Sequence, residues 1–200
     1  MSETLAYHEL NGATLEPWIE KLGRLRIAVF REYPYLYDGT LEYEREYLNT
    51  YVRSPQSLAV LVTNEANDVV GATTCIPLRD EGPEFQEPFL KAGRPVDEVC
   101  YFAESILLPE LRGRGIGSEF FTRREAHAQR LGARVTAFCA VDRPQDHSLR
   151  PASYRPLDEF WKSRGYTKQP GLQATFVWKE TGEAEESPKT LTFWTKEWTR

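Results

Sequence analysis

The chain has 200 residues, of which 40% are hydrophobic, and its formal net charge at pH 7 is -5. This length fits one compact domain, so we expect a single domain over residues 1–200. The acidic balance argues against a general nucleic-acid binder, which would be basic. The unbroken apolar runs, such as 58–62, are far shorter than the roughly 20 residues of a membrane span. We therefore expect a soluble protein with neither nucleic acid nor a membrane as its partner.

The N-terminal sequence favours a cytoplasmic protein, and the cysteines favour a buried, unpaired state. Residues 1–7 lack the basic and apolar regions of a secretion signal. Cys75, Cys100 and Cys139 each stand in an apolar run without Cys-x-x-Cys spacing. We expect core thiols here, and neither a disulfide framework nor a metal site.

The first part of the chain predicts strands and two helices. Apolar residues at helical spacing from Leu15 to Phe30 indicate an amphipathic helix capped by Thr14, and Thr40 can cap a second helix that ends before Pro55. Strands are expected over 5–10, 57–63 and 69–77, the last two forming an antiparallel hairpin.

A loop and a strand-helix-strand unit follow. Residues 79–98 hold glycines and prolines among charges, so we predict a long loop. The run 99–108 is nearly all apolar, as expected of a central strand covered on both faces. A helix over 118–131 and a strand over 135–141 complete a unit whose two strands should be parallel. The remaining predicted elements are a short helix over 156–164 and aromatic strands over 172–179 and 190–198.

The turn between the central strand and its helix, Arg112 to Ser118, predicts a phosphate-binding site. Glycines at alternate positions allow positive φ and close approach, so successive N–H groups can point into one concavity. The helix that follows adds free N–H groups and a positive dipole end. The spacing Gly-x-Gly-x-Gly fits neither the dinucleotide fingerprint nor the Walker pattern.

Read as Arg-x-x-Gly-x-Gly after a strand and Pro-Glu, this turn resembles the pyrophosphate-binding signature of the GNAT acetyltransferases. The order of predicted elements is similar to that family over nearly all of the chain. The resemblance implies a mixed α/β (α+β) fold: a mostly antiparallel sheet of six to seven strands, a central parallel pair splayed apart, and helices on both faces.

The resemblance also implies acetyl-CoA as cosubstrate and assigns residues to its two arms. The pantetheine arm would lie against Ile106, Leu107 and Leu108. The pyrophosphate would bind the seven residues of the turn, which are Arg112, Gly113, Arg114, Gly115, Ile116, Gly117 and Ser118.

Glu104 and Tyr154 are the candidate catalytic residues. An amine must lose a proton before it attacks a thioester, and Glu104, a carboxylate on an otherwise apolar strand, suits proton abstraction directly or through water. The alternative for Glu104 is a structural carboxylate paired with an arginine. In many family members a Tyr of the last helix donates a proton to the CoA thiolate, but Trp161 occupies that place and indole is no useful acid. Tyr154 is the nearest substitute, the alternative being a loop aromatic packed on the core.

Acceptor specificity in the family comes largely from the segment between the first two helices. Here that segment contains Phe30, Tyr33 and Tyr35 among carboxylates, a combination that suits a cationic amine. The same aromatics could instead cover an edge of the core.

Three functions remain open at this stage. The first is an acetyl-CoA-dependent N-acetyltransferase acting by direct attack of a primary amine, from a small molecule or a peptide. The second is a non-catalytic acyl-CoA-binding module of the same fold, and the third is a nucleotide-phosphate binder. The aromatic content also leaves room for a homodimer.

Overall fold

The computed structural model describes residues 4–199, so residues 1–3 and 200 of the predicted domain lie outside it. The helices are α1 (Ile19–Phe30), α2 (Leu41–Arg53), α3 (Pro83–Lys91), α4 (Ile116–Arg130) and α5 (Asp158–Ser163). The strands are β1 (Ala6–Leu10), β2 (Leu58–Thr63), β3 (Val69–Pro77), β4 (Val99–Leu107), β5 (Val135–Val141), β6 (Thr167–Trp178) and β7 (Ser187–Glu197). No helix in this part of the chain combines the length and apolar character needed to cross a bilayer.

The strands form one seven-stranded sheet in the order β1-β2-β3-β4-β5-β7-β6. Among the described strands, β4 and β5 form the one parallel pair, and all other neighbours are antiparallel. This parallel pairing extends only from Val99 opposite Val135 to Tyr101 opposite Ala137, after which the strands separate. The predicted mixed fold with a splayed central pair is confirmed.

The sheet buries a hydrophobic layer on each face. Because side chains alternate along a strand, Tyr101 of β4 joins the layer under α1, α2 and α3, whereas Phe102 joins the layer under α4 and α5. The three cysteines are free and buried, as predicted for core thiols. Cys139 lies in the first layer, and Cys75 and Cys100 lie in the second.

The first predicted helix begins later than its apolar spacing suggests. Residues Gly12–Trp18 form a 3-10 helix that contains Pro17, and the α-helix begins at Ile19. Proline has no N–H to donate to the preceding turn, which explains the delay. The second helix begins as predicted, with the Thr40 hydroxyl accepting a hydrogen bond from the Tyr43 N–H at 3.3 Å.

The long loop predicted over 79–98 is wrong, because its centre forms helix α3. Pro83 occupies the first turn, where its missing N–H costs nothing and its fixed φ suits a helix. Phe85 and Phe89 stand one turn apart and are buried, with Phe89 meeting Phe193 of β7 at 5.0 Å between ring centroids. Burial of these two rings outweighs the glycine and proline content of the segment.

The sixth strand also begins earlier than predicted, at Thr167 instead of Leu172. Its pairing with β7 is interrupted by a register shift between Gln169 and Gln173. Pro170 and Gly171 fall in this gap, which accounts for a predicted strand that began only after them, at Leu172.

The helical assignment of α3 makes a stability prediction. We expect Phe89→Ala to lower the free energy of unfolding by about 3 to 5 kcal/mol, since it empties a fully buried ring position. Leu90→Ala removes a side chain that is 57% exposed and should change stability by less than about 0.5 kcal/mol. Urea unfolding of both variants measures the difference, and equal effects would contradict the packing of α3 described here.

Candidate active site

The turn before α4 presents a row of free backbone donors. Gly113 and Gly115 have φ of 76° and 84°, a region that favours glycine, and a Cβ built on either residue meets nothing within 4 Å. No backbone carbonyl in residues 4–199 accepts a hydrogen bond from the N–H groups of 113–117. These donors lie at the N-terminus of α4, so the turn fits an anionic group such as a pyrophosphate.

Arg112 is held at the base of this turn. Its Nε and Nη2 donate to the Leu107 carbonyl at 3.2 and 3.1 Å, and its Nη1 pairs with Glu32 Oε2 at 2.8 Å. The guanidinium thus joins the end of β4 to the loop after α1. Arg114 is exposed beside the turn.

The open edge of β4 leads from the separation of the strands to the glycine-rich turn. On its other edge β4 pairs with β3, where Leu107 lies opposite Gly71 and Ile106 opposite Ala72. Beyond Tyr101 the edge that faces β5 has no strand partner. Ile106 and Leu107 lie along this edge, and Leu108 follows directly before the turn.

A cavity of about 620 Å³ brings together residues that are far apart in sequence, because Arg112, Tyr33 and Tyr154 all line it. The Tyr33 and Tyr154 rings meet edge to face, with 4.6 Å between centroids. Phe30 and Tyr35, the other two predicted acceptor residues, pack on each other with 4.8 Å between ring centroids. Both also pack against the core layer under α1 and α2. Of the three, Tyr33 is the one that lines this cavity.

The loop between α1 and α2 is tied to the C-terminal half of the chain. Arg143, just after β5, donates to the carbonyls of Pro34 at 2.6 Å and Tyr35 at 3.1 Å. Trp178 Nε1 donates to the same Tyr35 carbonyl at 3.2 Å. These hydrogen bonds hold the backbone of the loop that carries Tyr33 and Tyr35.

Trp161, at the place of the family tyrosine, lies in an aromatic cluster on the α4 and α5 face. Its ring centroid is 5.0 Å from that of Phe138 and 5.1 Å from that of Trp194. Tyr154 lines the same cavity as Arg112, and burial raises the pKa of its hydroxyl. Tyr154 therefore stays protonated at neutral pH and can donate a hydrogen bond.

Glu104 lies in a buried ionic cluster. Arg26 of α1 binds Glu104 Oε2 through Nη1 and Glu44 Oε2 through Nε, and both carboxylate side chains are about 1% exposed. The guanidinium lies over the Tyr47 ring at 4.3 Å. Pairing with an arginine is the alternative that the sequence left open for Glu104, and it is what the structure shows. Glu104 Oε1 has no hydrogen-bond partner among the described residues, so its role as a base stays a prediction.

A second buried carboxylate, Glu81, was missed by the sequence analysis. It follows β3 through a short 3-10 turn and is 6% exposed. The Tyr51 hydroxyl donates to Glu81 Oε1 at 2.5 Å, and the Gly82 N–H donates to Oε2 at 3.3 Å. Burial raises the pKa of Glu81 to about 7, against the lowering effect of these two hydrogen bonds. Its position inside the predicted loop carried no signal that it would be buried.

The fold and the donor-rich turn together define the class of protein. A family model described as the acetyltransferase (GNAT) family matches residues 22–152. The chain therefore belongs to the GNAT acetyltransferase family.

Solved structures share the fold at low sequence identity. A protein of Acinetobacter baylyi described as an acetyltransferase superposes with a TM-score of 0.63 at 11% sequence identity, and the match covers 99% of this chain and 95% of that one. An acetyltransferase of Thermus thermophilus superposes with a TM-score of 0.57 at 17% identity, and the match covers 98% of this chain and 97% of that one. A GNAT acetyltransferase of Elizabethkingia anophelis with acetyl-CoA bound gives 0.53 at 12% identity, with 97% and 98% covered. No curated protein matches the chain significantly.

The raised pKa of Glu81 predicts a pH-dependent stability effect. An ordinary Glu has a pKa of 4.5 and Glu81 one of about 7, so the folded state holds this proton more tightly than the unfolded state. The wild type should therefore lose stability as pH rises from about 4.5 to 7. Relative to the wild type, Glu81→Gln should become more stable by about 2 to 3 kcal/mol between pH 5 and pH 8. Urea unfolding at the two pH values tests this, and a pH-independent difference would contradict the raised pKa.

Proposed function

We propose that the protein is an acetyl-CoA-dependent N-acetyltransferase whose acceptor is a primary amine that attacks directly. The observation that carries the proposal is the row of unpaired N–H groups at 113–117, located at the open end of the separated β4 and β5 strands. A free donor row on a helix N-terminus suits a pyrophosphate. An open strand edge beside it suits an extended arm that bonds to backbone groups.

Each part of the cosubstrate has residues that fit it. The turn from Arg112 to Ser118 would hold the pyrophosphate, and Ile106, Leu107 and Leu108 would border the pantetheine arm. When bound, acetyl-CoA supplies the activated acetyl thioester. Backbone N–H groups on the open edge of β4 would stabilise the negative charge that develops on the carbonyl oxygen.

The acceptor amine would enter from the cavity lined by Tyr33 and Tyr154. Aromatic faces favour a cation there, with Phe30 and Tyr35 supporting the wall behind them. The free Oε1 of Glu104 is a partner for the ammonium group. Because Arg26 is shared between Glu44 and Glu104 and balances only one of them, we assign to Glu104 the binding of the ammonium first, with direct proton abstraction as the competing role.

Tyr154 is the proposed proton donor to the CoA thiolate. It shares its cavity with Arg112, and its hydroxyl is protonated at neutral pH. The packing of Trp161 against Phe138 and Trp194 supports a structural role for that residue. The loss of the family tyrosine favours a non-catalytic module, and Tyr154 as an alternative donor weakens that argument.

Binding of acetyl-CoA is the first test. Gly115→Asp brings a carboxylate to the donor row and should weaken acetyl-CoA binding at least about 100-fold in calorimetric titration, since like charges repel in the cradle. Gly93→Asp is a matched control, because Gly93 also has a positive φ of 68° and open space around its Cβ position. Absence of binding to the folded wild type would overturn the proposal, and displacement by ATP but not by CoA would favour a nucleotide-phosphate binder.

Turnover separates the enzyme from a binding module. We expect Tyr154→Phe to lower kcat about 100-fold in a CoA-release assay with a panel of primary amines, because the thiolate loses its proton donor, while the Kd for acetyl-CoA stays unchanged. Tyr7→Phe, on the edge strand β1, is the control. Tight acetyl-CoA binding without release of CoA with any amine would favour the non-catalytic module.

A further inference from the structure

A chain of three side chains lies buried between the ionic cluster of Glu104 and the end of β3. The Tyr47 and Tyr51 hydroxyls, one turn apart on α2, are 3.1 Å from each other. The Tyr51 hydroxyl continues to Glu81 Oε1 at 2.5 Å. Tyr51 is fully buried and Glu81 nearly so, whereas Tyr47 is partly exposed. None of the roles proposed so far uses these three groups.

The hydrogen bonds of this chain have one direction when Glu81 is ionised. A carboxylate only accepts, so the single hydroxyl hydrogen of Tyr51 points to Glu81. Tyr47 must then donate its own hydrogen to the Tyr51 oxygen. The Tyr47 oxygen is left as an acceptor at the end of the chain nearer Arg26. The arrangement is a set of aligned O–H groups that ends in a carboxylate.

The Tyr47 end of the chain lies beside the proposed ammonium site. The Tyr47 ring lies 4.3 Å from the guanidinium carbon of Arg26, which binds Glu104 directly. Burial, followed by the charges of Glu81 and Glu104, raises the pKa of Tyr47 well above its usual value. The charges of both Glu81 and Glu104 therefore act on the Tyr47 hydroxyl, which agrees with a position between the two carboxylates.

The chain also lies near the point where β4 and β5 separate. Tyr101, the last β4 residue paired with β5, has its hydroxyl 3.1 Å from Cys139 Sγ. Burial, then Cys139 and Tyr47, raise the pKa of Tyr101. The three hydrogen-bonded groups and the point where β4 and β5 separate therefore share one buried region on the α1 and α2 face.

We propose that Tyr47, Tyr51 and Glu81 form a relay that carries one proton from the acceptor ammonium to Glu81. This inference rests on the proposed N-acetyltransferase function. The ammonium proton moves to the Tyr47 oxygen, the Tyr47 proton to the Tyr51 oxygen, and the Tyr51 proton to Glu81 Oε1. The products are a neutral amine and a neutral carboxylic acid, and each tyrosine ends with one hydroxyl hydrogen as it began.

Glu81 suits the end of this relay better than Glu104 does. Glu104 is already paired with a cation, whereas the groups near Glu81 are acids or neutral hydroxyls and a thiol. They are Tyr47 and Tyr51 of α2, Glu84 of α3, Tyr101 and Glu104 of β4, Cys139 of β5 and the adjacent Asp80. A pKa of about 7 matches the best value for a general base at neutral pH. A concerted shift also avoids phenolate, which burial of Tyr47 and Tyr51 disfavours.

The test is the pH dependence of kcat at saturating amine and acetyl-CoA. In the wild type we expect kcat to rise through about pH 7 as Glu81 ionises. Glu81→Gln should remove this rise and lower kcat about 100-fold. Tyr47→Phe keeps the ring over Arg26 and the Tyr51 bond to Glu81, so it should lower kcat about 100-fold without unfolding the protein. Glu42→Gln and Tyr43→Phe, exposed neighbours on α2, are the matched controls.

A second readout is independent of turnover. Carbon-13 NMR of the glutamate carboxyls should show one group titrating near pH 7 in the wild type and in Tyr47→Phe. That signal should be absent in Glu81→Gln. No group titrating near pH 7 in the wild type would overturn the relay even if the enzyme is active.

The remaining outcomes separate the relay from the proposed function. An active enzyme in which Glu81→Gln keeps the wild-type profile overturns the relay alone. A pH rise that disappears in Glu104→Gln but persists in Glu81→Gln assigns the base to Glu104 and also overturns the relay. A wild type that shows the NMR titration but neither binds acetyl-CoA nor releases CoA with any amine overturns the proposed function, and the relay falls with it.

Discussion

The separation of β4 from β5 is the constraint on which the site depends. Each strand is held by an antiparallel neighbour on its outer edge, β4 by β3 and β5 by β7. Parallel pairing in the middle covers only three residues, 99–101 with 135–137. The two strands therefore cannot close on each other without breaking longer ladders. An open edge in the centre of a sheet is otherwise a liability, and here it leads directly to the free donors of the turn before α4.

The two ends of this opening have opposite electrostatic character. The turn offers backbone N–H groups and a helix N-terminus, which favour an anion. The region near the vertex holds Glu44 and Glu104 around a single arginine, with Glu81 nearby. Buried ion pairs contribute little net stability, because desolvation offsets their attraction. Two carboxylates around one guanidinium agree with the proposed binding of a cationic amine.

The side proposed for the acceptor is held by contacts within the chain. Arg143 and Trp178 hold the carbonyls of the α1–α2 loop, and Tyr33 contacts Tyr154 from a different part of the chain. A pre-ordered loop reduces the entropy lost on binding. Trp161, which stands where the resemblance expects a tyrosine, packs on Phe138 in the layer under α4 and α5. Tyr154 lines the cavity instead.

The sequence by itself determined what is local. Apolar periodicity predicted most helices and strands, the glycine spacing of 113–117 predicted the turn, and the resemblance of 112–117 to the GNAT signature predicted the family. It failed for α3, because glycine and proline counts are local whereas the burial of Phe89 depends on Phe193 of a distant strand. The partners of Glu104 and the burial of Glu81 were decided only by tertiary structure. Arg26 is 78 residues from Glu104 and Tyr51 is 30 residues from Glu81, and no local pattern encodes a contact at that separation.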